Sequence, residues 1–341
     1  MIPKPGSMVP VRMLPATEDA ILEAASVIRA GGLVAFPTET VYGLGARADD
    51  DAAVARIFAA KGRPADHPLI VHVADAAAAH SFAAGVCDAA QRLMDAFWPG
   101  PLTLILPRLP GRGGAAAGGQ ASIGLRLPAH PVAMALLREA ARLGVPGVAA
   151  PSANRFGRVS PTTAAHVQQE FGDALAVLDG GACEVGIESA IVDCTRERPA
   201  LLRPGQLTRS RLEAVLGVAL AAPDQASPRA PGTLASHYAP AAPVHLYETA
   251  ELRSRLRMPP WPTAAGRVLP VVGVYSRLVP EAGNGLVHRA MPADAAAVAH
   301  ELFAVLREFD TAGVSAIWVE QPPPGPEWDG VRDRLDRAAA A

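Results

Sequence analysis

Short apolar runs alternate with longer amphipathic segments through the first two thirds of the chain. The runs have the length of buried strands, and the segments carry apolar residues three or four positions apart, as a helix with one buried face does. This alternation extends over residues 12–220 and predicts an α/β domain with a twisted, mixed sheet. The predicted strands are GLVAF, LIVHV, LTLIL, SIGLRL, GVAA, AIVDC and ALLR, and the predicted helices are DAILEAASVIRA, DAAVARIFAAK, CDAAQRLMDAFW, PVAMALLREAARL, TTAAHVQQEF and TRSRLEAVLG.

The hydrophobic pattern stops at residue 221 and resumes at residue 244. Residues 221–243 are rich in Pro, Ala and Ser without periodicity, which predicts a linker. Beyond it, residues 244–341 predict strand, strand, helix, strand and helix, from VHLYE, RVLPVVGVYS, DAAAVAHELFAVLREFDTAG, VSAIWVEQ and EWDGVRDRLDRAAA. That order is typical of a small, Rossmann-like α/β domain with helices on the faces of an open sheet.

The linker contains two side chains that a simple spacer does not need, His237 and Tyr238. We therefore consider the hypothesis that residues 229–240 form a lid across the mouth of the first domain's cleft, with Tyr238 reaching a bound ligand. The alternative is that Tyr238 only packs between the two domains.

Composition and charge narrow the class of protein. With 341 residues, 50% of them hydrophobic and 19% charged, the chain is long enough for two domains and predicts a globular α/β enzyme or binding protein. The formal net charge of −2 gives no global basic field, so any anion site is local. The three cysteines have neither disulfide-framework nor zinc-site spacing, and no metal-ligand set is predicted. Without an apolar leader or a membrane-length run, we expect a cytoplasmic protein with no membrane contact.

Two glycine-rich stretches resemble nucleotide-binding loops, but each lacks the required context. GLGARA mimics a dinucleotide fingerprint, yet Gly43 comes late after the strand, and Lys61 and Arg63 stand about 20 residues on, where an acidic residue is needed. GRGGAAAGGQ, residues 111–120, has no G-K-[ST] ending and predicts a mobile surface loop.

Cations and a histidine lie at the ends of several predicted elements. Lys61 and Arg63 lie at the end of a predicted helix, where they are also candidates for capping its C-terminus. His72 lies in the next strand, and Arg126 lies in the run SIGLRL, where a buried guanidinium needs a ligand or a carboxylate partner.

Hydroxyl and amide side chains follow other strands. Ser152, Asn154 and Ser160 occur in APSANRFGRVSPT, and Ser160 is also a candidate helix N-cap. Ser189 and Arg203 occur in GIESAIVD and ALLRPG. Because no nucleophile–base–acid triad is evident, this set predicts a site that holds a polyphosphate and a carboxylate rather than one with a protein nucleophile.

Six motifs resemble, in their order and spacing, those of the YrdC-like threonylcarbamoyl-AMP synthase family. They are PTETVYGLG, KGRP…PLIVHV, SIGLRLP, APSANRFGRVSPT, GIESAIVD and LLRPG. The pairs Lys61/Arg63 and Ser152/Asn154 match its K-x-R and S-x-N signatures. The resemblance covers about residues 15–217, and the remainder resembles the long form of the family. It implies formation of threonylcarbamoyl-AMP and pyrophosphate from L-threonine, bicarbonate and ATP. A downstream transferase complex would then modify adenosine 37 of tRNA.

The resemblance also implies roles for individual residues. It implies Lys61, Arg63, Ser152 and Asn154 in catalysis and Mg²⁺ as the companion of ATP. Around L-threonine it implies Thr40, His72, Arg126 and Ser189. Around ATP it implies Lys61, Arg63, His67, Ser122, Ser152, Asn154, Ser160, Arg203 and Tyr238.

The chain departs from the family pattern at three places. His67 replaces an asparagine, Ala150 replaces a threonine, and the linker APGTLASHYAP lacks basic residues found in other members. Two alternatives remain from the sequence. One is a double-stranded RNA or tRNA-binding protein, which the net charge of −2 predicts to bind weakly. The other is a carbamoyl-adenylate enzyme with a different acceptor.

Overall fold

The computed structural model describes residues 13–172, 175–257, 271–278 and 286–341. Its strands and helices form two sheets with helices packed against them. The strands are β1 (Met13–Pro15), β2 (Val34–Phe36), β3 (Gly43–Arg47), β4 (Ile70–His72), β5 (Leu102–Pro107), β6 (Ser122–Arg126), β7 (Val148–Ala149), β8 (Ala176–Asp179), β9 (Ala190–Asp193), β10 (Ala200–Arg203), β11 (Val244–Tyr247), β12 (Val272–Ser276), β13 (Leu286–Ala290) and β14 (Ala316–Glu320). The helices are α1 (Glu18–Arg29), α2 (Asp51–Lys61), α3 (Asp88–Phe97), α4 (Pro131–Arg142), α5 (Ala164–Phe171), α6 (Arg209–Leu216), α7 (Thr249–Arg257), α8 (Ala295–Thr311) and α9 (Asp329–Ala339).

The larger sheet has ten strands in the order β1-β8-β2-β3-β7-β4-β6-β5-β9-β10. The sheet contains parallel pairs such as β4 with β6 and antiparallel pairs such as β5 with β6, so it is mixed. The smaller sheet has the order β11-β14-β12-β13, and all its strands are parallel. The predicted α/β fold class, with a mixed sheet followed by a small Rossmann-like sheet, is confirmed.

The stretch GLGAR is not among the predicted strands, but it forms one in the structure. It forms β3, which pairs with β2 through Val34 and Gly45 in an antiparallel hairpin. A Cβ at Gly45 would lie 2.7 Å from the Phe36 ring and 2.9 Å from Val148. Glycine is therefore needed here for close packing in the sheet, not for approach to a phosphate.

The segment 111–120 is only partly the surface loop that was predicted. Ala116 and Ala117 are fully buried, and the carbonyl of Ala116 accepts a 2.7 Å hydrogen bond from Leu69 N. A Cβ at Gly118 would lie 2.5 Å from the carbonyl oxygen of Asp66. The glycines let this segment fold back onto the chain that precedes β4.

The C-terminal segment contains two elements that the sequence pattern did not predict, α7 and β13. Helix α7 is mostly polar with a single buried residue, Leu252, and no residue of β13 is fully buried. Neither element therefore has the apolar pattern of a half-buried helix or strand. Residues 267–270 of the predicted strand RVLPVVGVYS lie outside the described residues.

An apolar cluster joins the two sheets. Val159 and Ile187 from the first part of the chain pack with Phe303 and Trp328 from the second. Residues 221–243 connect the parts and contact both, because Ala221 bridges to Ala200 while Tyr238 belongs to the shared cluster. Among the described helices, none combines the length and apolarity needed to cross a bilayer.

Candidate active site

One cavity brings together residues that are distant in the sequence. Its empty volume is about 540 Å³, and it lies where several strands of the large sheet end beside the linker. The predicted site residues that line it are Thr40, Arg63, His72, Arg126, Ser152, Ser189, Arg203 and Tyr238. Other lining residues include Thr38, Gly43, Ala150, Glu188, Pro231, Gly232 and His237.

Arg126 and His72 meet because their strands are parallel neighbours with these two residues in register. The Arg126 guanidinium donates to Thr40 Oγ1 at 2.9 Å and to the carbonyl of Gly100 at 3.2 Å, and its Nη2 lies 2.7 Å from Glu39 Oε1. A guanidinium has five N–H groups, and two of them donate hydrogen bonds here, while Nη2 has no hydrogen-bond partner among the described residues. The ion pair with Glu39 makes this end of the cavity neutral overall.

His72 is a neutral histidine in this environment. Complete burial, with the nearby charge of Arg126 as a second cause, lowers the pKa of His72 to about 3. Its Nδ1 is buried and has no hydrogen-bond partner among the described residues. The imidazole therefore offers an unpartnered nitrogen to a bound ligand without adding positive charge.

Arg63 and Arg203 line another part of the wall. Arg63 donates from Nη2 to the carbonyl of Pro68 at 2.8 Å, and its Nε has no partner among the described residues. Arg203 donates to the carbonyl of Ser189 from Nε and Nη2, at 3.0 and 2.9 Å, and to the carbonyl of Pro231 at 2.9 Å. Burial lowers the pKa of both guanidinium groups, that of Arg63 to about 10.

Lys61 supports the cavity from behind and does not line it. Its Nζ donates to the carbonyl of Ser152 at 2.6 Å and to that of Asn154. The helix itself ends at Gly62, which has a φ of 64° in the left-handed region. Lys61 is the last residue of α2, as the alternative of a cation at the helix C-terminus requires, but its ammonium group donates to carbonyls outside the helix. Burial, together with the neighbouring charge of Arg63, lowers the pKa of the Lys61 ammonium well below its usual value.

Asn154 and Ser160 also lie beside the cavity rather than in its lining. Asn154 Nδ2 donates to the carbonyls of Arg155 and Arg158 at 2.7 and 2.9 Å, while its Oδ1 has no partner among the described residues. Ser160 Oγ donates to Glu188 Oε1 at 2.5 Å. Thr163, not Ser160, is the N-cap of α5, so the alternative role of Ser160 as a helix cap is wrong.

Two predicted nucleotide residues are placed elsewhere. His67 lines a neighbouring cavity of about 380 Å³ empty volume, which shares Arg63, Gly232 and His237 with the first. Ser122 begins β6 and lines neither of these two cavities.

Tyr238 enters the cavity from the linker. Its ring stacks on Phe303 at a centroid distance of 5.4 Å, and its hydroxyl is buried without a partner among the described residues. Its φ of 62° is strained for a non-glycine residue. Gly232 is pressed against it, because a Cβ there would lie 2.2 Å from the Tyr238 hydroxyl. Burial raises the pKa of Tyr238 to about 12 and lowers that of His237 to about 3.

Sequence reasoning missed several polar residues of the site. Glu39 pairs with Arg126, Thr38 bonds to Thr40 Oγ1 at 2.8 Å, and Thr103 bonds to Ser189 Oγ at 2.8 Å. Glu188 belongs to the motif GIES, but the sequence analysis chose only the serine of this motif as a site residue. Thr103 lies inside the apolar strand β5, and its hydroxyl group was the one signal that could have selected it as a site residue.

The described residues contain no group of three or more His, Cys, Asp or Glu side chains that could hold a metal ion. The one carboxylate in the cavity lining, Glu188, is already bonded to Ser160 and Arg334. The side chains present therefore do not fit a protein-bound Mg²⁺ site.

Comparison with known proteins identifies the family. The family model described as "Telomere recombination" (Sua5, YciO and YrdC) matches residues 26–205, and the model "Threonylcarbamoyl-AMP synthase, C-terminal domain" matches residues 207–340. The threonylcarbamoyl-AMP synthase of Bacillus subtilis is 39% identical over 338 residues, which cover 96% of this chain and 94% of the relative. The chain belongs to the threonylcarbamoyl-AMP synthase family.

A crystal structure of the Pyrococcus abyssi Sua5 protein complexed with L-threonine matches with a TM-score of 0.83 and 35% identity, over 96% of this chain and 98% of that chain. The family also includes shorter relatives. The threonylcarbamoyl-AMP synthase of Chromohalobacter salexigens is 39% identical over 165 residues, which are 48% of this chain but 86% of the relative.

Proposed function

We propose that this protein is a threonylcarbamoyl-AMP synthase that forms threonylcarbamoyl-AMP and pyrophosphate from L-threonine, bicarbonate and ATP. The observation that carries the proposal is the charge distribution of one cavity. The pair Arg126–Glu39 is neutral overall and suits a zwitterionic amino acid. Arg63 and Arg203 have no ion-pair partner among the described residues, and such cations suit a polyphosphate.

The substrates supply the reacting groups. The amine of L-threonine and bicarbonate condense to a carbamate with loss of water. A carbamate oxygen then attacks the α-phosphorus of ATP, and the bond to the β-phosphate oxygen breaks to release pyrophosphate. The protein has to hold two anions together and stabilise charge on the transferred phosphoryl group, so catalysis by positioning and electrostatics is sufficient.

In this proposal, Arg126 binds the threonine carboxylate, and Thr40, His72 and Ser189 surround the amino acid. Arg63, Ser152, Arg203 and Tyr238 contact ATP directly from the cavity lining. Lys61 and Asn154 shape the loop that carries Ser152, and their bonds to main-chain carbonyls support this role. Ser160 acts through its hydrogen bond to Glu188, which lines the cavity. His67 contacts the nucleotide only if ATP extends into the second cavity. We assign Ser122 no direct contact.

Magnesium enters this proposal as part of the substrate MgATP, because the side chains present do not form a metal site. The threonylcarbamoyl group of the product is transferred to adenosine 37 of tRNA by a separate transferase complex, and AMP leaves, so we place the protein in the cytoplasm and expect only weak tRNA binding of its own.

We also propose a division of labour along the chain. Residues 12–220 carry the threonine site, residues 221–243 are a linker whose part 229–240 acts as a lid, and residues 244–341 form a supporting α/β domain. Pro231, Gly232, His237 and Tyr238 support the lid because they line the cavity from the linker side. A lid here would exclude water from a labile acyl-adenylate.

The test is pyrophosphate release from ATP and bicarbonate with each amino acid in turn, and the product is identified by mass. We expect threonine to be preferred over serine, and valine to be rejected most strongly. A pocket that hydrogen-bonds a hydroxyl rejects an analogue without it more strongly than an analogue lacking one methyl group. Equal turnover of the three amino acids, or no release with any of them, would contradict the proposal.

A further inference from the structure

A fully buried arginine from the last helix reaches the wall of the cavity. Arg334 lies in α9, and its side chain is inaccessible to solvent. Its Nε lies 2.8 Å from Glu188 Oε2, and its Nη2 donates to the main-chain carbonyl of Glu188 at 3.1 Å. Its Nη1 donates to the carbonyl of Pro204 at 2.9 Å. The guanidinium thus joins the C-terminal segment to two points of the large sheet, Glu188 just before β9 and Pro204 just after β10.

The carboxylate of Glu188 bridges Arg334 and Ser160. One oxygen of the carboxylate binds Arg334, and the other accepts the 2.5 Å hydrogen bond from Ser160 Oγ. Burial acts to raise the pKa of Glu188, but the charges of Arg334 and Arg203 outweigh it and hold the pKa below its usual value. Glu188 is therefore a carboxylate whose two oxygens fix a cation on one side and a hydroxyl on the other.

The same arginine supports Tyr238. Its guanidinium carbon lies 5.4 Å from the centroid of the tyrosine ring, within the range of a cation–π contact. Phe303 from α8 stacks against the ring as well. Because Tyr238 has a strained φ of 62°, surrounding contacts have to hold it in place. Two of those contacts come from the C-terminal segment.

We propose that Arg334 is a positioning residue, which fixes Glu188, Ser160 and Tyr238 at the cavity and makes the C-terminal segment part of the nucleotide site. This inference rests on the proposed function for the identity of the ligand. Arg126 bonds to Thr40, and His72 lies beside Arg126 on the neighbouring strand, so the threonine pocket does not depend on Arg334. Ser189 is held separately by Thr103 and Arg203.

The first test is Arg334→Met in the full chain, with Arg332→Met as the matched control. Arg332 lies in the same helix, but it bonds to Asp329 and to the carbonyls of Pro323 and Gly325. For Arg334→Met we expect kcat/KM for ATP to fall at least tenfold, while the Kd for L-threonine measured without ATP changes less than twofold. Arg332→Met should match the wild type in both.

Loss of Arg334 also leaves a buried carboxylate unpaired, which could disturb the fold by itself. The double variant Arg334→Met/Glu188→Gln removes that charge. Compared with Arg334→Met, we expect the double variant to recover thermal stability but not kcat/KM for ATP. The single variant Arg334→Lys should retain more kcat/KM for ATP than Arg334→Met does. Full recovery of activity in the double variant, or wild-type kcat/KM in Arg334→Met, would overturn the inference.

A readout without turnover separates this inference from the proposed function. Hydrogen exchange of the peptide spanning residues 229–240 is measured on the free protein. We expect faster exchange in Arg334→Met than in the wild type and in Arg332→Met. If the wild type releases no pyrophosphate, the proposed function fails, while this comparison still decides whether Arg334 holds the linker. Unchanged exchange in Arg334→Met would count against the positioning role.

Discussion

Main-chain carbonyl groups hold several of the cations at the cavity. Lys61 donates to Ser152 and Asn154, whereas Arg63 donates to Pro68. A carbonyl fixes the position of a cation but carries no full negative charge, so the cation's charge is not neutralised. The sequence predicted the cations and the serine and asparagine of this site, because charge is unusual at the ends of apolar elements. It could not distinguish Arg63, which lines the cavity, from Lys61, which supports the loop behind it.

This distinction predicts different outcomes for Lys61→Ala and Arg63→Ala. Lys61→Ala leaves two main-chain carbonyls without their buried donor, so we expect the free energy of unfolding to fall by about 1–3 kcal/mol. Arg63→Ala removes one hydrogen bond at the cavity wall, so it should reduce pyrophosphate release with a smaller loss of stability. Urea unfolding and initial rates of both variants provide the measurement. A Lys61→Ala protein as stable as the wild type would rule out the supporting role.

Buried neutral His72 predicts a loss of stability in acid. Its pKa of about 3 in the folded protein lies below the unfolded value of 6.5, so the unfolded state binds more protons between these two pH values. Stability therefore falls as the pH drops from 6.5 towards 3, by about 2 kcal/mol at pH 5 from this residue. Urea unfolding at pH 7 and pH 5 should show a smaller pH effect in His72→Gln than in the wild type. The same pH effect in both proteins would argue against burial of a neutral imidazole.

Strand pairing brings site residues together. Strands with strong apolar runs, such as β4 and β6, were evident from the sequence, and their parallel pairing places His72 next to Arg126. Strands β1, β3 and β8 of the large sheet were missed. β3 contains Gly45, whose role depends on packing against Phe36 and Val148 from other strands. Such tertiary contacts are not visible in a local pattern.

The linker shows a further tertiary contact in Gly232. Its φ is 72°, and a Cβ would meet the Tyr238 hydroxyl at 2.2 Å and Arg203 Nη1 at 2.8 Å. We expect Gly232→Ala to displace the linker, lower pyrophosphate release at least tenfold and increase tryptic cleavage after Arg229. The control is Gly217→Ala, where φ is 70° but nothing lies within 4 Å of the added carbon. Since the control has the same backbone strain, equal effects of both substitutions would show that strain, and not the clash with Tyr238, is responsible.

At the scale of the whole molecule, the second part of the chain completes a cavity whose proposed amino-acid site lies in the first part. Thr40, His72 and Arg126 all precede residue 220, whereas Tyr238 and Arg334 follow it. The shorter family member from Chromohalobacter salexigens matches 165 residues of this chain over 86% of its own length, so the family includes members much shorter than this chain. In this chain, however, the first part also contributes Val159 and Ile187 to the shared apolar cluster.

We therefore expect a chain ending at residue 220 to separate binding from catalysis. It retains the side chains around L-threonine, so threonine binding measured by calorimetry should persist. It loses Tyr238 and the contact of Arg334 with Glu188, so pyrophosphate release should fall at least tenfold, and the product should hydrolyse faster because water reaches the open cavity. Exposure of the apolar cluster should also lower its melting temperature. Threonine binding serves as the internal control for folding. If the truncated chain binds threonine and releases pyrophosphate as fast as the full chain, with equally intact product, then neither the linker nor the C-terminal segment takes part in the reaction.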